Sequence, residues 1–329
     1  MQRREFLGVL GGAAAAWPLA ARAQQGERVR RIGVLVGQAE DDPDAKARLT
    51  GFQEALAEAG WSEGRNVSVD YRFAAGRAEH IEALAKELVA LQPDVIIAQG
   101  TSVTAALQRE SNKIPIVFVT VSDPIGSGFV ASLSRPGGNI TGLLIYEAGI
   151  IGKWMAMLKE ISPSLTRAAL VANPKVTAYD YFLRAAAAAA PSLAIEIVPS
   201  PIESTADIER VIDSVARVPN SGLLLPPDTT TITHRNLIVA LAARHRLPAV
   251  YSLRLFVTAG GLMSYGTDVV EIFRLAATYA DRILRGAKPA ELPVQAPTKY
   301  ETIVNLKTAK ALGLDVPPSL IVRADQVIE

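Results

Sequence analysis

Polar and aromatic side chains stand directly after several apolar runs of this sequence, each of which predicts a β-strand. The set consists of Gln38, Thr101, Ser102, Asp123, Tyr146, Asn173, Asp228 and Tyr265. In open α/β sheets, ligands bind in the loops at the carboxyl ends of the strands. Amides, hydroxyls and carboxylates in such loops can bind the polar groups of a small organic molecule. The set therefore predicts a ligand-binding site.

The run Gly100-Thr101-Ser102 opens a predicted helix. Its free backbone N–H groups and two hydroxyls converge where the helix dipole would stabilise a bound carboxylate. The same hydroxyls can instead cap their own helix, and the two roles are compatible.

Two acidic residues at strand ends could pair with a ligand ammonium group. Asp123 precedes Pro124, and Asp228 lies among prolines and threonines. Each could equally be the first residue of an Asx-turn, in which the side chain binds its own backbone. Asn173 has the same alternative, since it precedes Pro174.

Tyrosines at strand ends carry weight because only 6% of the residues are aromatic. Tyr146, Tyr251 and Tyr265 occupy such positions. A tyrosine ring offers apolar contact and one hydroxyl, which suits an organic ligand. Any one of them could instead pack at the edge of the core.

Signatures of catalysis and of cofactor binding are missing from the sequence. Gly37 follows the first strand without a G-x-G-x-x-G run, and no Walker or G-x-S-x-G sequence occurs. The chain has no cysteine, and its three histidines lack carboxylates at metal-ligand spacing. We therefore predict no catalytic residue, no metal and no cofactor.

The charge balance argues against nucleic acid as a partner. The 34 Lys and Arg residues nearly match the 33 Asp and Glu residues, for a formal net charge of +1. No basic block is present, whereas a nucleic-acid surface needs clustered cations to displace counterions. A small-molecule solute is the predicted partner, and a monomer is the predicted state.

From residue 31 onward, short β-branched runs alternate with segments of helical periodicity, which requires parallel strands joined by helical crossovers. The predicted fold class is α/β, with two doubly wound parallel-sheet lobes. We assign residues 29–146 and about 263–289 to the first lobe, and 147–262 and about 290–329 to the second. The pattern also predicts a short helix at 129–133 and one continuous helix at 232–244.

The first 23 residues have the composition of an export signal. Arg3 and Arg4 form a twin-arginine pair, a short apolar stretch follows, and Ala21-Arg22-Ala23 matches a cleavage site. The apolar stretch is too short for the ~20 residues that span a bilayer. We predict a Tat-type signal peptide cleaved after Ala23, and a mature protein in the periplasm.

Five sequence runs resemble one bacterial family. They read DPI at 123–125, SLSRPGGNITG at 132–142, LPAVY at 247–251, AGGLMSYG at 259–266 and NLKTAKALGL at 305–314. These runs are similar to those of the ABC-transporter substrate-binding proteins of the tryptophan/tyrosine-transport type, and the likeness extends over the whole chain after the leader.

The resemblance implies a type 1 periplasmic-binding-protein fold, in which two lobes joined by a multi-crossover hinge close on one ligand. It implies delivery of that ligand to a membrane permease with its ATPase, and relatives with known ligands hold aromatic amino acids. Carried over by position, ligand contacts come from Gln38, Thr101, Ser102, Asp123 and Tyr146 in the first lobe, Asn173 and Asp228 in the second, and Tyr265 near the hinge. No arginine stands at a predicted strand end to clamp a carboxylate.

Three other classes of protein share parts of this pattern. A sensor that docks onto a membrane receptor would have the same sequence features. A sugar-repressor-type regulator would need a helix-turn-helix where the leader stands. An enzyme on a doubly wound scaffold would need a nucleotide cradle, which the sequence lacks. An importer component is the favoured interpretation.

Overall fold

The computed structural model describes residues 28–147 and 149–329. The chain forms two α/β lobes, each built around its own sheet, as predicted. The strands are β1 (Arg30–Val36), β2 (Val67–Phe73), β3 (Val95–Gln99), β4 (Ile116–Val121), β5 (Ile140–Leu144), β6 (Arg167–Ala172), β7 (Glu196–Pro201), β8 (Ser221–Leu225), β9 (Ala249–Tyr251), β10 (Met263–Gly266), β11 (Glu301–Asn305) and β12 (Gln326–Ile328).

Helices connect most of these strands. The α-helices are α1 (Pro43–Glu58), α2 (Ala78–Ala90), α3 (Thr101–Glu110), α4 (Ile150–Ile161), α5 (Tyr179–Leu193), α6 (Thr205–Ala216), α7 (Thr229–Thr233), α8 (Arg235–Arg244), α9 (Arg254–Thr258), α10 (Val269–Leu284), α11 (Leu306–Leu312) and α12 (Pro318–Arg323). A 3₁₀ turn covers Pro289–Glu291. None of the helices in the described part of the chain is long and apolar enough to cross a bilayer.

The first sheet has the order β2-β1-β3-β4-β5, and its neighbouring strands are parallel. Alternate residues of one strand point to opposite faces. On β3, Ile97 joins a core with Phe52 of α1 and Phe273 of α10, whereas Ile96 joins a second core with Leu88 of α2. Because helices cover both faces, the strands read as continuous apolar runs.

The second sheet has the order β12-β11-β10-β9-β8-β6-β7. Strand β11 runs antiparallel to β10, and the other pairs are parallel. The second sheet is therefore parallel, as predicted, except at the one pair where the chain returns from the first lobe.

Two predicted helices differ from the structure. Residues 129–133 form no helix; the N–H of Phe129 instead closes a turn onto the carbonyl of Pro124, and its ring packs 6.4 Å from that of Phe118. The predicted helix at 232–244 is two helices, α7 and α8, which meet at His234. Ser204 and Asp207 form a capping box at the start of α6.

The boundaries between the lobes also need correction. Strand β10 pairs within the second sheet, so the chain returns to the first lobe after Gly266 and not near residue 263. Helix α10 then packs along α1. Val294 and Gln295 still bond to first-lobe carbonyls, of Leu133 and Gly142 respectively, so the last crossing follows Gln295 and not residue 290.

Hydrogen bonds tie the three crossing segments side by side. The N–H of Leu144 donates to the carbonyl of Gln295 at 2.8 Å, and the hydroxyl of Thr267 donates to the carbonyl of Ile145 at 3.2 Å. The N–H of Glu147 donates to the hydroxyl of Tyr300 at 2.9 Å. The hinge between the lobes thus consists of three chain segments. The predicted leader, 1–23, lies outside the described residues.

Candidate functional site

A cavity lies between the lobes at the carboxyl ends of β1, β3, β4 and β8. Its volume is about 40 Å³, and it is partly open to solvent. Lining residues come from both lobes: Gln38, Arg48, Gln99, Gly100, Thr101, Thr120, Ile145, Val176, Thr177, Pro227, Asp228, Thr229, Ile232, Leu253 and Val269. This is the location that open α/β sheets use for ligands.

The lobes are in close contact around this cavity. A Cβ added to Gly37 of the first lobe would lie 3.1 Å from the hydroxyl of Thr229 in the second, and one added to Gly76 would lie 2.9 Å from the hydroxyl of Thr233. The cavity is therefore bounded by two surfaces that meet at their rim.

Gln38 is a predicted site residue whose buried side-chain amide is left without partners in the part of the chain that the structure describes. Its side chain is buried, and within the described residues neither its amide nitrogen nor its amide oxygen has a hydrogen-bond partner. A buried polar group without a partner costs about 1–3 kcal/mol. The neighbouring Gln99 is different, since its side-chain oxygen accepts from the N–H of Gly37 at 3.1 Å. A ligand could supply the partners that Gln38 lacks.

Arg48 is a cavity residue that the sequence prediction missed. It lies on the buried face of α1 with Ala45, Leu49 and Phe52, and only 5% of it is exposed. Burial lowers the pKa of its guanidinium, against the opposing influence of nearby Asp44. The prediction considered arginines at strand ends only. The available signal was a charged residue in the apolar register of a helix, three residues after Ala45.

Thr101 lines the cavity at the start of α3, where Gly100 is the N-terminal capping residue with a φ of 86°. Thr120 lies on the neighbouring strand β4, at an irregularity in the pairing with β5, and its φ is 60°. A non-glycine residue in this region costs about 1–3 kcal/mol, and such strain clusters at binding sites. Nothing in the sequence marked Thr120.

Asp228 enters the cavity from the second lobe. It caps α7: one carboxylate oxygen accepts the N–H of Thr231 at 2.7 Å, and the other accepts the N–H of Asn173 at 3.0 Å. Burial nevertheless raises its pKa to about 6. Asn173 does not line the cavity; its amide donates to the hydroxyl of Thr230 and so supports the same loop.

Ser102 and Asp123 lie outside the cavity lining. Ser102 occupies the first turn of α3, beside Thr101. The carboxylate of Asp123 accepts the N–H of Gly126 at 2.8 Å, which is the turn alternative that the sequence left open. The structure therefore brings Gln38, Thr101 and Asp228 together and leaves these two residues at the margin.

Tyr146 and Tyr265 also lie outside the lining, in an aromatic stack at the hinge. The ring of Tyr300 lies 6.4 Å from that of Tyr146 and 5.4 Å from that of Tyr265. Tyr146 is buried against Trp154, and its hydroxyl donates to the carbonyl of Ser252. Burial raises the pKa of Tyr146. The described cavity lining contains no aromatic ring.

Comparison with known proteins connects this geometry to a family. The family model described as "ABC transporter substrate binding protein" matches residues 32–328. A curated relative, the "Tyrosine-binding protein" of Clostridioides difficile (strain R20291), is 25% identical over 289 residues, which cover 88% of this chain and 82% of the relative.

Solved structures share the fold. One of an ABC domain in complex with L-Trp from Streptococcus pneumonia is 24% identical, with a TM-score of 0.84, and covers 91% of this chain and 99% of that one. A ligand-free, open substrate-binding protein with adhesive properties from Clostridium difficile has the same identity and coverages but a TM-score of 0.66.

The fold predicted from the sequence, that of a type 1 periplasmic binding protein, is confirmed by these matches. The family carries a small-molecule ligand to a permease, which is the coarse function expected of the chain. Since the family model matches almost every described residue, this protein belongs to the ABC transporter substrate-binding protein family.

Proposed function

We propose that this protein is the exported solute-binding component of an ABC importer, and that it captures an amino acid between its lobes without converting it. The observation that carries the proposal is a cavity bounded by residues of both lobes. Only the closed arrangement surrounds a ligand there, so the ligand prefers the closed state and drives closure.

The amino-acid class is supported by two relatives, one named for tyrosine and one solved with L-Trp. Within the cavity, hydroxyls, amides and one residue of each charge are available for a polar head group. Because the described lining lacks an aromatic ring, a stacking partner for an aromatic ligand is not provided there. The two relatives are the reason that tyrosine and tryptophan stand at the head of the test panel, among all twenty amino acids.

Thermal-shift screening tests capture. The mature protein is melted with each of the twenty L-amino acids, and with representative sugars and nucleosides. We expect at least one amino acid to raise the melting temperature, since a ligand at 100 times its Kd stabilises by ~2.7 kcal/mol. If no solute in the panel shifts the melting temperature, the capture proposal fails.

A pair of variants connects the shift to the cavity. Gln38→Leu removes the buried amide and is expected to reduce the ligand-induced shift. Gln53 lies on the exposed face of α1, where its amide donates to the hydroxyl of Tyr71, and Gln53→Ala is expected to keep the shift. Equal shifts in both variants would place the ligand elsewhere.

Export and oligomeric state form part of the same proposal. We propose a Tat signal at residues 1–23, a periplasmic mature protein, and a monomer that docks on its permease. The support is the twin-arginine pair and the cleavage motif in the sequence. Replacing Arg3 and Arg4 by Lys is expected to leave the full-length precursor in the cytoplasm. Sedimentation of the mature chain alone is expected to give a single monomeric species.

A further inference from the structure

Arg48 holds a buried charge that nearby Asp44 and Asp42 stabilise through space, without a direct contact among the described residues. Its exposed fraction is 5%, and it lines the cavity between the lobes. Across residues 28–147 and 149–329, its guanidinium has no hydrogen bond and no ion pair. An arginine cannot shed its proton in a protein, so burial without an anion is costly.

The nearest acidic residues are already engaged. Asp42 accepts the N–H groups of Asp44 and Ala45 at the start of α1, and it pairs with Arg235 at 3.2 Å. Asp44 pairs with the other guanidinium nitrogen of Arg235 at 3.6 Å. One arginine of the second lobe thus uses both carboxylates, and Arg48 is left facing the cavity.

Asp228 provides an opposite charge on the other side of the same cavity. No ion pair joins it to Arg48 in the part of the chain that the structure describes, so the two groups are not each other's partner. The cavity therefore presents a cation from the first lobe and an acid from the second. A molecule that carries both charges complements them.

From this arrangement, and resting on the proposed function, we infer that Arg48 binds the carboxylate of a zwitterionic ligand whose ammonium faces Asp228. A guanidinium matches a carboxylate through two parallel N–H···O bonds and carries a full positive charge, whereas the helix start at Thr101 offers N–H groups with about half a charge. The assignment moves the carboxylate from the helix start predicted by the sequence to the side of α1. It also makes closure depend on ligand charge, because the two charged residues belong to different lobes.

Calorimetric titration of the mature protein with the twenty L-amino acids and with their α-amides tests the inference. An amide has nearly the shape of the acid but lacks the negative charge. We expect at least one amino acid to bind, and its α-amide to bind about 10- to 100-fold more weakly, because the amide has lost a hydrogen-bonded charge. Arg48→Gln is expected to bring the acid down to the affinity of the amide while leaving the amide unchanged.

Two further variants separate charge recognition from folding. Arg48→Lys keeps the charge but loses the two-pronged geometry, so a reduced preference for the acid should remain. Arg109→Gln removes an exposed arginine that pairs with Glu82, and both affinities should stay at the wild-type values. If Arg48→Gln does not fold, the wild-type comparison of acid with amide and the Arg48→Lys result still decide the matter.

Several outcomes overturn the inference and distinguish it from the proposed function. Equal wild-type affinity for acid and amide, or an acid preference that survives in Arg48→Gln, excludes Arg48 as the carboxylate site but leaves amino-acid capture intact. An equal loss of both affinities in Arg48→Gln assigns Arg48 a purely structural role. If a sugar or nucleoside binds and no amino acid does, the inference of a zwitterionic ligand is wrong, but the proposal that the protein captures a solute is retained. Binding of no solute overturns both.

Discussion

Arg235 of the second lobe forms an ion pair with Asp42 of the first, with 3.2 Å between Nη1 and Oδ2. Both side chains are largely buried, at 18% and 11% exposed. Asp42 is also the N-terminal capping residue of α1. The contact exists only while the lobes are together, so it contributes to the free energy of closure.

Arg235→Gln is therefore expected to weaken ligand binding. A partly buried pair contributes about 1 kcal/mol, which corresponds to a Kd roughly fivefold higher. Titration calorimetry with the best-binding amino acid measures this change. Arg244→Gln, an exposed position on the same helix, serves as the control and is expected to bind like wild type. Matching Kd values for the two variants would exclude a role for Arg235 in closure.

Asp228 is expected to make stability depend on pH. Burial raises its pKa from 3.8 to about 6, so the folded state favours the protonated carboxyl. The stability that Asp228 contributes is then fully present below pH 3.8 and is lost as the pH rises towards about 6. The loss amounts to about 3 kcal/mol at 1.36 kcal/mol per pKa unit.

Urea unfolding of wild type and Asp228→Asn between pH 4 and pH 7 measures this effect. Asparagine can still cap α7 but cannot ionise. The wild type should lose stability relative to the variant as the pH rises through this window. A difference that stays constant, or that grows in favour of the wild type, contradicts the raised pKa.

Tyr146→Phe is expected to affect stability and binding together. The variant leaves the buried carbonyl of Ser252 without its donor, which costs about 1–3 kcal/mol. Tyr146 lies at the end of the first lobe and Ser252 lies in the second, so this hydrogen bond joins the lobes. Because its loss weakens closure, the Kd should rise as well. Chemical denaturation and calorimetry measure the two effects.

Tyr279→Phe is the matched control. Its hydroxyl donates to the carbonyl of Pro293, and both residues pack with the first lobe. Its loss should cost a similar free energy of unfolding without a change in Kd. If both variants raised the Kd equally, the Tyr146 bond would have no special link to closure.

Gly266→Ala is expected to destabilise the hinge severely. A Cβ at this position would lie 1.9 Å from the carbonyl oxygen of Ser252 and 3.2 Å from the hydroxyl of Tyr146. Backbone must move to make room, at a cost of ~3 kcal/mol or more. Gly138→Ala, with no atom within 4 Å of the added carbon, should be nearly neutral. Thermal melts that show equal stability for the two variants would contradict this packing.

Local sequence patterns were sufficient for most of the elements and for the fold class. Helix α10 is an example, because its buried apolar residues repeat at helical spacing. The local sequence patterns failed where the apolar residues lack a regular spacing. Phe129 is buried by a turn and not by a helix, and α7 ends at His234 within what reads as one helical run.

The sequence alone determined that polar loops at strand ends face a common cleft, because parallel strands carry their carboxyl ends to one edge. Gln38, Thr101 and Asp228, which were predicted in this way, do line the cavity between the lobes. Only the tertiary structure revealed Arg48, since a charged residue on a buried helical face comes to line a cavity only when the helix is placed beside one. Tyr146 lies in the hinge stack with Tyr265, which was predicted near the hinge, for the related reason that stacking with Tyr300 depends on a segment more than thirty residues later in the chain.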